Sequence, residues 1–148
     1  MSLNILTSKN FTVSNKLENK LNQAFTLICN EENISNCSVN LKILDNNEIT
    51  ELNKKFSNKN SPTNVLSFTN EDISKSITGD LGDIAISYEY VKEESNEQNK
   101  KFDDHLIHML IHGVYHILGF DHKNNKMADL MESKEVKLLK QLNIKNPY

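Results

Sequence analysis

The sequence contains no arginine, few glycines and prolines, and no long apolar run. All 17 basic residues among its 148 are lysines, and the formal net charge is -3. The chain therefore lacks the planar guanidinium that commonly binds phosphate, and its charge balance neither supports nor excludes RNA as a partner. Four glycines and two prolines exclude a fibrous or low-complexity chain and favour an ordinary globular protein.

Cysteine is also scarce, with only Cys29 and Cys37 present. The first residues, MSLNILTSKNF, lack the basic start and apolar core of a secretory signal. We therefore expect a reducing, cytoplasmic location with both thiols free. The longest apolar-rich segment, residues 106–120, is interrupted by histidines and glycines and is too short to span a bilayer. No membrane association is expected.

The hydrophobic pattern predicts a single α+β domain over residues 1–148. Helical spacing of apolar residues after Ser14 predicts a first helix over about 15–30, and the alternation of Val39, Leu41 and Ile43 predicts a strand. A second helix follows near 49–56, then two short strands, NVLSF and LGDIAIS, with a polar loop between them, and an exposed helix or loop over 88–101. A buried central helix over 103–118 and a last amphipathic helix complete a small mixed sheet covered by helices.

All five histidines lie in one run, HLIHMLIHGVYHILGFDH, between residues 105 and 122. His112 and His116 are four residues apart, so on a helix both rings can reach one zinc ion at about 2.0–2.1 Å. Gly119 can adopt a left-handed conformation, which lets GFDH turn back and offer His122. Three neutral imidazoles would hold one Zn²⁺ per chain and leave a fourth position open.

Two other kinds of site remain possible for these histidines. A structural zinc usually has four protein ligands and often cysteine, but neither cysteine lies near the cluster in sequence, which favours an open, catalytic site. His105 and His108 do not continue the ligand spacing, so we predict that they hydrogen-bond within the core. His108 is also a candidate to support a metal ligand.

The spacing H-x3-H-x5-H in HGVYHILGFDH is that of the metzincin zinc peptidases, including the glycine three residues after the second histidine. In those peptidases a glutamate that acts as general base follows the first histidine. Here that position is Gly113. A peptidase would therefore need its base elsewhere.

Together with SPTNVLSF and LGDIAIS upstream, HGVYHILGFDH resembles the YbeY family of single-domain zinc endoribonucleases. The resemblance extends from the LN of ELNKKF to the closing NPY. It implies an α+β fold, zinc held by His112, His116 and His122, and the NVLSF strand as one wall of the cleft. It also implies a single-strand-specific nuclease of late 16S rRNA 3'-end maturation and ribosome quality control, with rRNA and the small ribosomal subunit as partners and no DNA expected. A bound metal acidifies water and polarises a phosphoryl oxygen, so hydrolysis would not require a side-chain base.

One position departs from the YbeY pattern, which has an arginine six residues before the Thr of PTNVLSF. Counting back from Thr63 reaches Ser57, which cannot supply positive charge to the phosphate. Lys55 and Lys59, in KKFSNKNSP, are the candidate replacements, and Lys59 is favoured because it lies closer to the NVLSF wall. The alternative is a solvated lysine-rich loop.

Asp121 precedes the third predicted ligand and has two possible roles. It either orients a ligand histidine or a metal-bound water, or it caps the turn, as aspartate commonly does. We favour the cap.

Three functions are consistent with these features. The favoured one is a zinc-dependent endoribonuclease of rRNA processing. A zinc peptidase is supported by the histidine spacing and opposed by Gly113. A ribosome-assembly or binding factor that keeps the zinc site but has weak or no catalysis is supported by Ser57.

Overall fold

The computed structural model describes residues 2–71 and 79–148, in which four strands and five helices form one α+β unit, as predicted. In chain order these elements are β1 (Ser2–Thr7), α1 (Asn15–Glu31), β2 (Ser38–Leu44), α2 (Asn46–Ser57), β3 (Val65–Thr69), β4 (Asp80–Ser87), α3 (Tyr88–Glu97), α4 (Phe102–Ile117) and α5 (Asn125–Gln141).

The strands form a mixed sheet in the order β1-β2-β4-β3. β1, β2 and β4 are parallel, and β3 runs antiparallel to β4 at one edge. Strand β2 buries Val39, Leu41 and Ile43 on one face, as its alternation predicts. Strand β1 was not predicted, although Leu3 and Ile5 alternate with polar residues there.

The helix starts follow local capping signals. The Ser14 side chain accepts a hydrogen bond from the backbone N–H of Leu17 at 3.1 Å, and Asp45 and Glu48 form a reciprocal capping box at the start of α2. The segment predicted as an exposed helix or loop is a helix, α3, and it buries Val91 completely.

Helix α4 is the buried central helix that the sequence predicts. It packs on β3 and β4 and against α1, α3 and α5. Leu106, Leu110 and Ile111 are fully buried, and burial of each such side chain contributes roughly 1.5–3 kcal/mol. The apolar sides of α4 therefore fix its rotation, and its histidines meet polar partners on α3 and α5.

The two cysteines are free thiols in the core, as expected, with their sulfur atoms 3.2 Å apart. Burial, reinforced by the hydrogen bond to Cys37, raises the pKa of Cys29 to about 12. Its thiol is therefore protonated at neutral pH.

Among the described residues, no helix has both the length and the apolar character that crossing a membrane requires. The loop predicted between the NVLSF and LGDIAIS strands falls mainly on residues 72–78, outside the described residues.

Candidate functional site

The three histidines predicted as metal ligands lie together at the C-terminal end of α4. The Nε2 atoms of His112 and His116 are 3.0 Å apart, and one ring nitrogen from each of His112, His116 and His122 lies within 4.8 Å of the others. Two nitrogens bound to one tetrahedral zinc at about 2.0–2.1 Å are themselves roughly 3.3 Å apart. The group therefore fits a single metal ion.

The turn after α4 places His122 beside the rings of His112 and His116. Gly119 has φ +98° and nothing lies within 4 Å of the position a Cβ would take there, so the backbone conformation, rather than space, calls for glycine. The Phe120 N–H donates to the Tyr115 carbonyl and the Gly119 N–H to the His116 carbonyl, each at 3.0 Å. The predicted left-handed turn is confirmed.

A buried carboxylate, Glu135 of α5, orients the first of these histidines. His112 Nδ1 lies 3.0 Å from Glu135 Oε2, and the Glu135 side chain is completely buried. Because an ionised carboxylate only accepts hydrogen bonds, the Nδ1 atom of His112 carries the proton. Its Nε2 then presents a lone pair to the other two histidines, which is the tautomer that a metal ligand needs.

Two further donors hold Glu135 in place. His108 Nε2 lies 2.6 Å from Glu135 Oε1, and the Tyr148 hydroxyl donates to the same oxygen at 2.7 Å. Burial raises the pKa of Glu135, but hydrogen bonds from His108 and His112 outweigh this effect and lower it to about 2. His108 therefore supports His112, one of the three predicted ligands, indirectly, through Glu135.

The sequence analysis missed Glu135, although a signal for it exists. Along α5, Glu135 lies four residues after Met131 and three before Leu138, both of which are buried. A carboxylate on the apolar face of an amphipathic helix needs buried donors, since an unpaired buried charge is strongly unfavourable. The histidine face of α4 supplies those donors.

The electrostatic surroundings keep His116 neutral and give Asp121 a structural role. Burial lowers the pKa of His116, and the neighbouring His112 and His122 lower it further. The Asp121 carboxylate accepts a 2.6 Å hydrogen bond from the backbone N–H of His122, and this bond lowers its pKa. Asp121 thus caps the turn, the role favoured from the sequence.

His105 lies away from the ligand cluster, as predicted. Its Nε2 is 2.9 Å from Glu94 Oε1, and the same oxygen accepts a hydrogen bond from the Asn64 side chain at 3.1 Å. Burial outweighs the contact with Glu94 and lowers the pKa of His105. This histidine therefore links α4 to α3 and to the start of β3.

An open groove of about 470 Å³ lies between the histidines and strand β3. Its lining comprises Asn64, Val65, Leu66, Ser67, Thr69, His112, His116 and His122. The Ser67 hydroxyl donates to the Gly113 carbonyl at 3.2 Å, which joins β3 to α4. The NVLSF strand is thus one wall of the groove, as expected.

Position 113 is crowded for the glutamate of a peptidase, because the neighbours of an added Cβ would have to shift by a few tenths of an ångström. A Cβ built on Gly113 would lie 3.1 Å from the Ile84 side chain and 3.1 Å from Ser67 Oγ. Glu135 contacts His112 through Nδ1, on the side of the ring away from the ligand nitrogens, so it does not replace that base.

Comparison with known proteins assigns the chain to a family. The family model described as "Endoribonuclease YbeY" matches residues 4–143. The chain belongs to the YbeY family. This membership supports an endoribonuclease role and agrees with the resemblance seen in the sequence.

YbeY relatives cover most or all of the chain. "Endoribonuclease YbeY" of Francisella philomiragia subsp. philomiragia is 40% identical over 152 residues, which cover 100% of this chain and 95% of that protein. The protein of the same name from Francisella tularensis subsp. tularensis is 45% identical over 126 residues, 82% of this chain and 75% of that one. The solution structure of TM1509 from Thermotoga maritima has a TM-score of 0.65 at 26% identity and covers 96% of this chain and 92% of its own.

Ser57, at the YbeY arginine position, and its two candidate replacements, Lys55 and Lys59, lie at the end of α2 and just after it. Ser57 is the last residue of α2, and the exposed Lys59 follows Asn58, which has a left-handed conformation. The Lys55 ammonium lies 5.3 Å from the centre of the Phe56 ring. Within the described residues, none of the three belongs to the groove lining, and a catalytic role for Lys55 or Lys59 stays a prediction.

Proposed function

We propose that this chain is a metal-dependent endoribonuclease that cleaves single-stranded RNA, with one zinc ion held by His112, His116 and His122. The observation that carries the proposal is the convergence of the three imidazoles beside an open groove, in a chain of the YbeY family. Three imidazoles without a thiolate suit zinc, with a fourth position left for water or substrate.

The residues in and around the groove have separate roles in such a site. When bound, zinc supplies an acidified water and polarises a phosphoryl oxygen. Glu135 keeps the proton on His112 Nδ1, and the buried surroundings of His116 keep that ring neutral. Strand β3, joined to α4 by Ser67, forms the wall against which an RNA strand can lie.

The proposed biological role follows the YbeY resemblance. We propose that the enzyme acts in late 16S rRNA 3'-end maturation and in ribosome quality control, in the cytoplasm, with precursor rRNA and the small ribosomal subunit as partners. DNA is not proposed as a substrate. The support is the family membership, together with the histidine cluster and the groove wall formed by strand β3.

Ser57 favours one second candidate function. A chain with no arginine and a serine at the family arginine position lacks the cation expected near the reacting phosphate. Such a protein would be a ribosome-assembly or binding factor that keeps the zinc site with weak or no catalysis. The peptidase is not a candidate of equal standing, because glycine occupies the position of its general base and an added Cβ there would be crowded.

The test is incubation of the purified, metal-analysed protein with precursor 16S rRNA and, separately, with casein. We expect RNA cleavage that disappears in His116→Ala, and intact casein. RNA binding without cleavage would select the assembly factor. Casein cleavage lost in His116→Ala would contradict the endoribonuclease proposal and restore the peptidase.

A further inference from the structure

The open groove between the histidines and β3, which we call the metal groove, is followed along α4 by further cavities towards the C-terminal residues of the chain. A second cavity of about 410 Å³ shares Asn64, Val65 and His112 with the metal groove. A third cavity, of about 480 Å³, shares Gln98, Lys100, His105, His108 and Pro147 with the second. Because neighbouring cavities share lining residues, the three lie in a row from the histidine cluster to residues 143–147, and we call this row the α4 channel.

The far end of the α4 channel is rich in lysine. Lys100, Lys101 and Lys145 line it, and Asp104 is the carboxylate found there. In the described part of the chain, the lysines that form ion pairs are Lys42, Lys123, Lys134 and Lys137. Among the described residues, therefore, no carboxylate lies within ion-pair distance of the three channel lysines, and their charge is not neutralised by a neighbour. The carboxylate that lines the middle cavity, Glu94, already accepts hydrogen bonds from Asn64 and His105.

Tyr148 stands between the histidines and the lysines. It lines the middle cavity, and 58% of its surface is exposed. Its hydroxyl is anchored to Glu135 at 2.7 Å, and its ring lies edge-on to His108 with centroids 5.5 Å apart. An exposed ring fixed through its hydroxyl is suited to stacking on a base, and such stacking tolerates any base sequence.

We propose that the α4 channel holds the RNA strand next to the cleaved bond, with one base stacked on Tyr148 and the following phosphates bound by Lys101 and Lys145. This inference rests on the proposed endoribonuclease function. It adds where the substrate leaves the metal centre and which residues bind it there. Lysines at one end, a π face in the middle and the amide of Gln98 along the wall match a single-stranded polyanion that carries aromatic bases.

The first experiment removes exposed channel lysines one at a time. Lys101→Ala and Lys145→Ala are compared with Lys9→Ala, a matched exposed lysine in the loop after β1, whose strand forms the sheet edge opposite β3. Lys100 is left in place because its ammonium donates to the Pro147 carbonyl at 3.4 Å. Binding of labelled oligouridine is measured in a His116→Ala background, which prevents cleavage, and KM and kcat are measured with the metal-loaded full chain.

Each channel variant should weaken oligouridine binding roughly fivefold at about 0.1 M salt and reduce the slope of log Kd against log salt by about 0.7. In the metal-loaded chain the same variants should raise KM and leave kcat unchanged, and Lys9→Ala should match the unsubstituted protein. If Lys101→Ala and Lys145→Ala bind oligouridine as Lys9→Ala does while the metal-loaded chain cleaves RNA, the channel is wrong and the enzyme function stands. If the chain neither binds nor cleaves RNA, both proposals fail.

The second experiment separates the Tyr148 ring from its hydroxyl. Tyr148→Ala should weaken oligouridine binding at least about fivefold, whereas Tyr148→Phe, which keeps the ring, should stay within about twofold. Equal losses in the two variants would show that the hydroxyl anchor matters and the ring does not, which would overturn stacking. An oligoglutamate peptide of matched charge serves as the non-nucleic polyanion, and competition as effective as that of unlabelled oligouridine would overturn RNA as the occupant.

Discussion

Replacing Glu135 with glutamine tests how His112, a ligand of the proposed zinc site, is oriented. The carboxylate accepts hydrogen bonds from His112, His108 and Tyr148 at 3.0, 2.6 and 2.7 Å. An amide of the same shape accepts through one oxygen and presents N–H on the other side. In Glu135→Gln either the amide N–H faces a ring N–H, or His112 changes tautomer and places its proton on Nε2, the nitrogen needed by the metal.

The expected magnitudes follow from the burial of Glu135. One pKa unit corresponds to about 1.4 kcal/mol, so lowering the carboxyl pKa from 4.5 to about 2 means that native contacts favour the ionised form by roughly 3 kcal/mol. Glu135→Gln should therefore lower the free energy of unfolding of the metal-free protein by a few kcal/mol, in the range known for breaking buried pairs. Zinc affinity should fall about 10- to 100-fold, as for other partners of metal-bound histidines.

The assay combines urea unfolding of the metal-free protein with zinc competition against a chromogenic chelator. Asp129→Asn is the matched control, because Asp129 is an exposed acid on the same helix, and it should change neither quantity. A Glu135→Gln protein that binds zinc as tightly as Asp129→Asn would refute the orientation of His112 by Glu135. Lower stability with unchanged zinc affinity would leave Glu135 with a purely structural role.

Three further predictions follow from the site and its surroundings. Chelation of the metal should lower the melting temperature by about 5–10 °C relative to zinc at 100 times its Kd, and differential scanning calorimetry with zinc added back would check this. Ser57→Arg should raise kcat/KM on single-stranded RNA at unchanged metal content, and Lys59→Ala should lower it, with Lys55→Ala as the second lysine variant. Rates equal to that of the unsubstituted protein in all three variants would remove any cation of this loop from the reaction. The stability of the metal-free protein should begin to decrease as the pH falls through 6.5 and should decrease further below 4.5. The folded pKa values of His105 and His116 lie below 6.5, so the unfolded chain binds more protons and stability decreases as the pH falls through 6.5. The pKa of Glu135 is about 2 in the folded protein and 4.5 in the unfolded chain. Its contribution to the free energy of unfolding is therefore lost as the pH falls from 4.5 to about 2. Urea unfolding at stepped pH would show a single acid transition if the histidine shifts were absent.

The local signals in the sequence were sufficient for most of the elements and for the clustering of the three histidines. The i and i+4 spacing of His112 and His116 is a property of any helix, and Gly119 marks where the chain must turn for His122 to return. Ser14 and the alternation of β2 likewise act through neighbouring residues, and the structure confirms both. The YbeY pattern in HGVYHILGFDH added the NVLSF wall, which lies where it was expected.

Only the tertiary structure decided what lies behind and beside the three clustered histidines. Glu135 is 23 residues from His112 in the chain and touches it because α5 packs on α4. Tyr148 reaches Glu135, and Lys100 meets Pro147, through contacts that no periodicity encodes. Hydrophobic pattern specifies which face of a helix is buried, whereas the partner of a polar side chain on that face depends on how two helices are rotated against each other. The sequence alone therefore determined the helices, most of the strands and the grouping of the three histidines. Packing determined the tautomer of His112, the crowding at Gly113 and the row of cavities along α4.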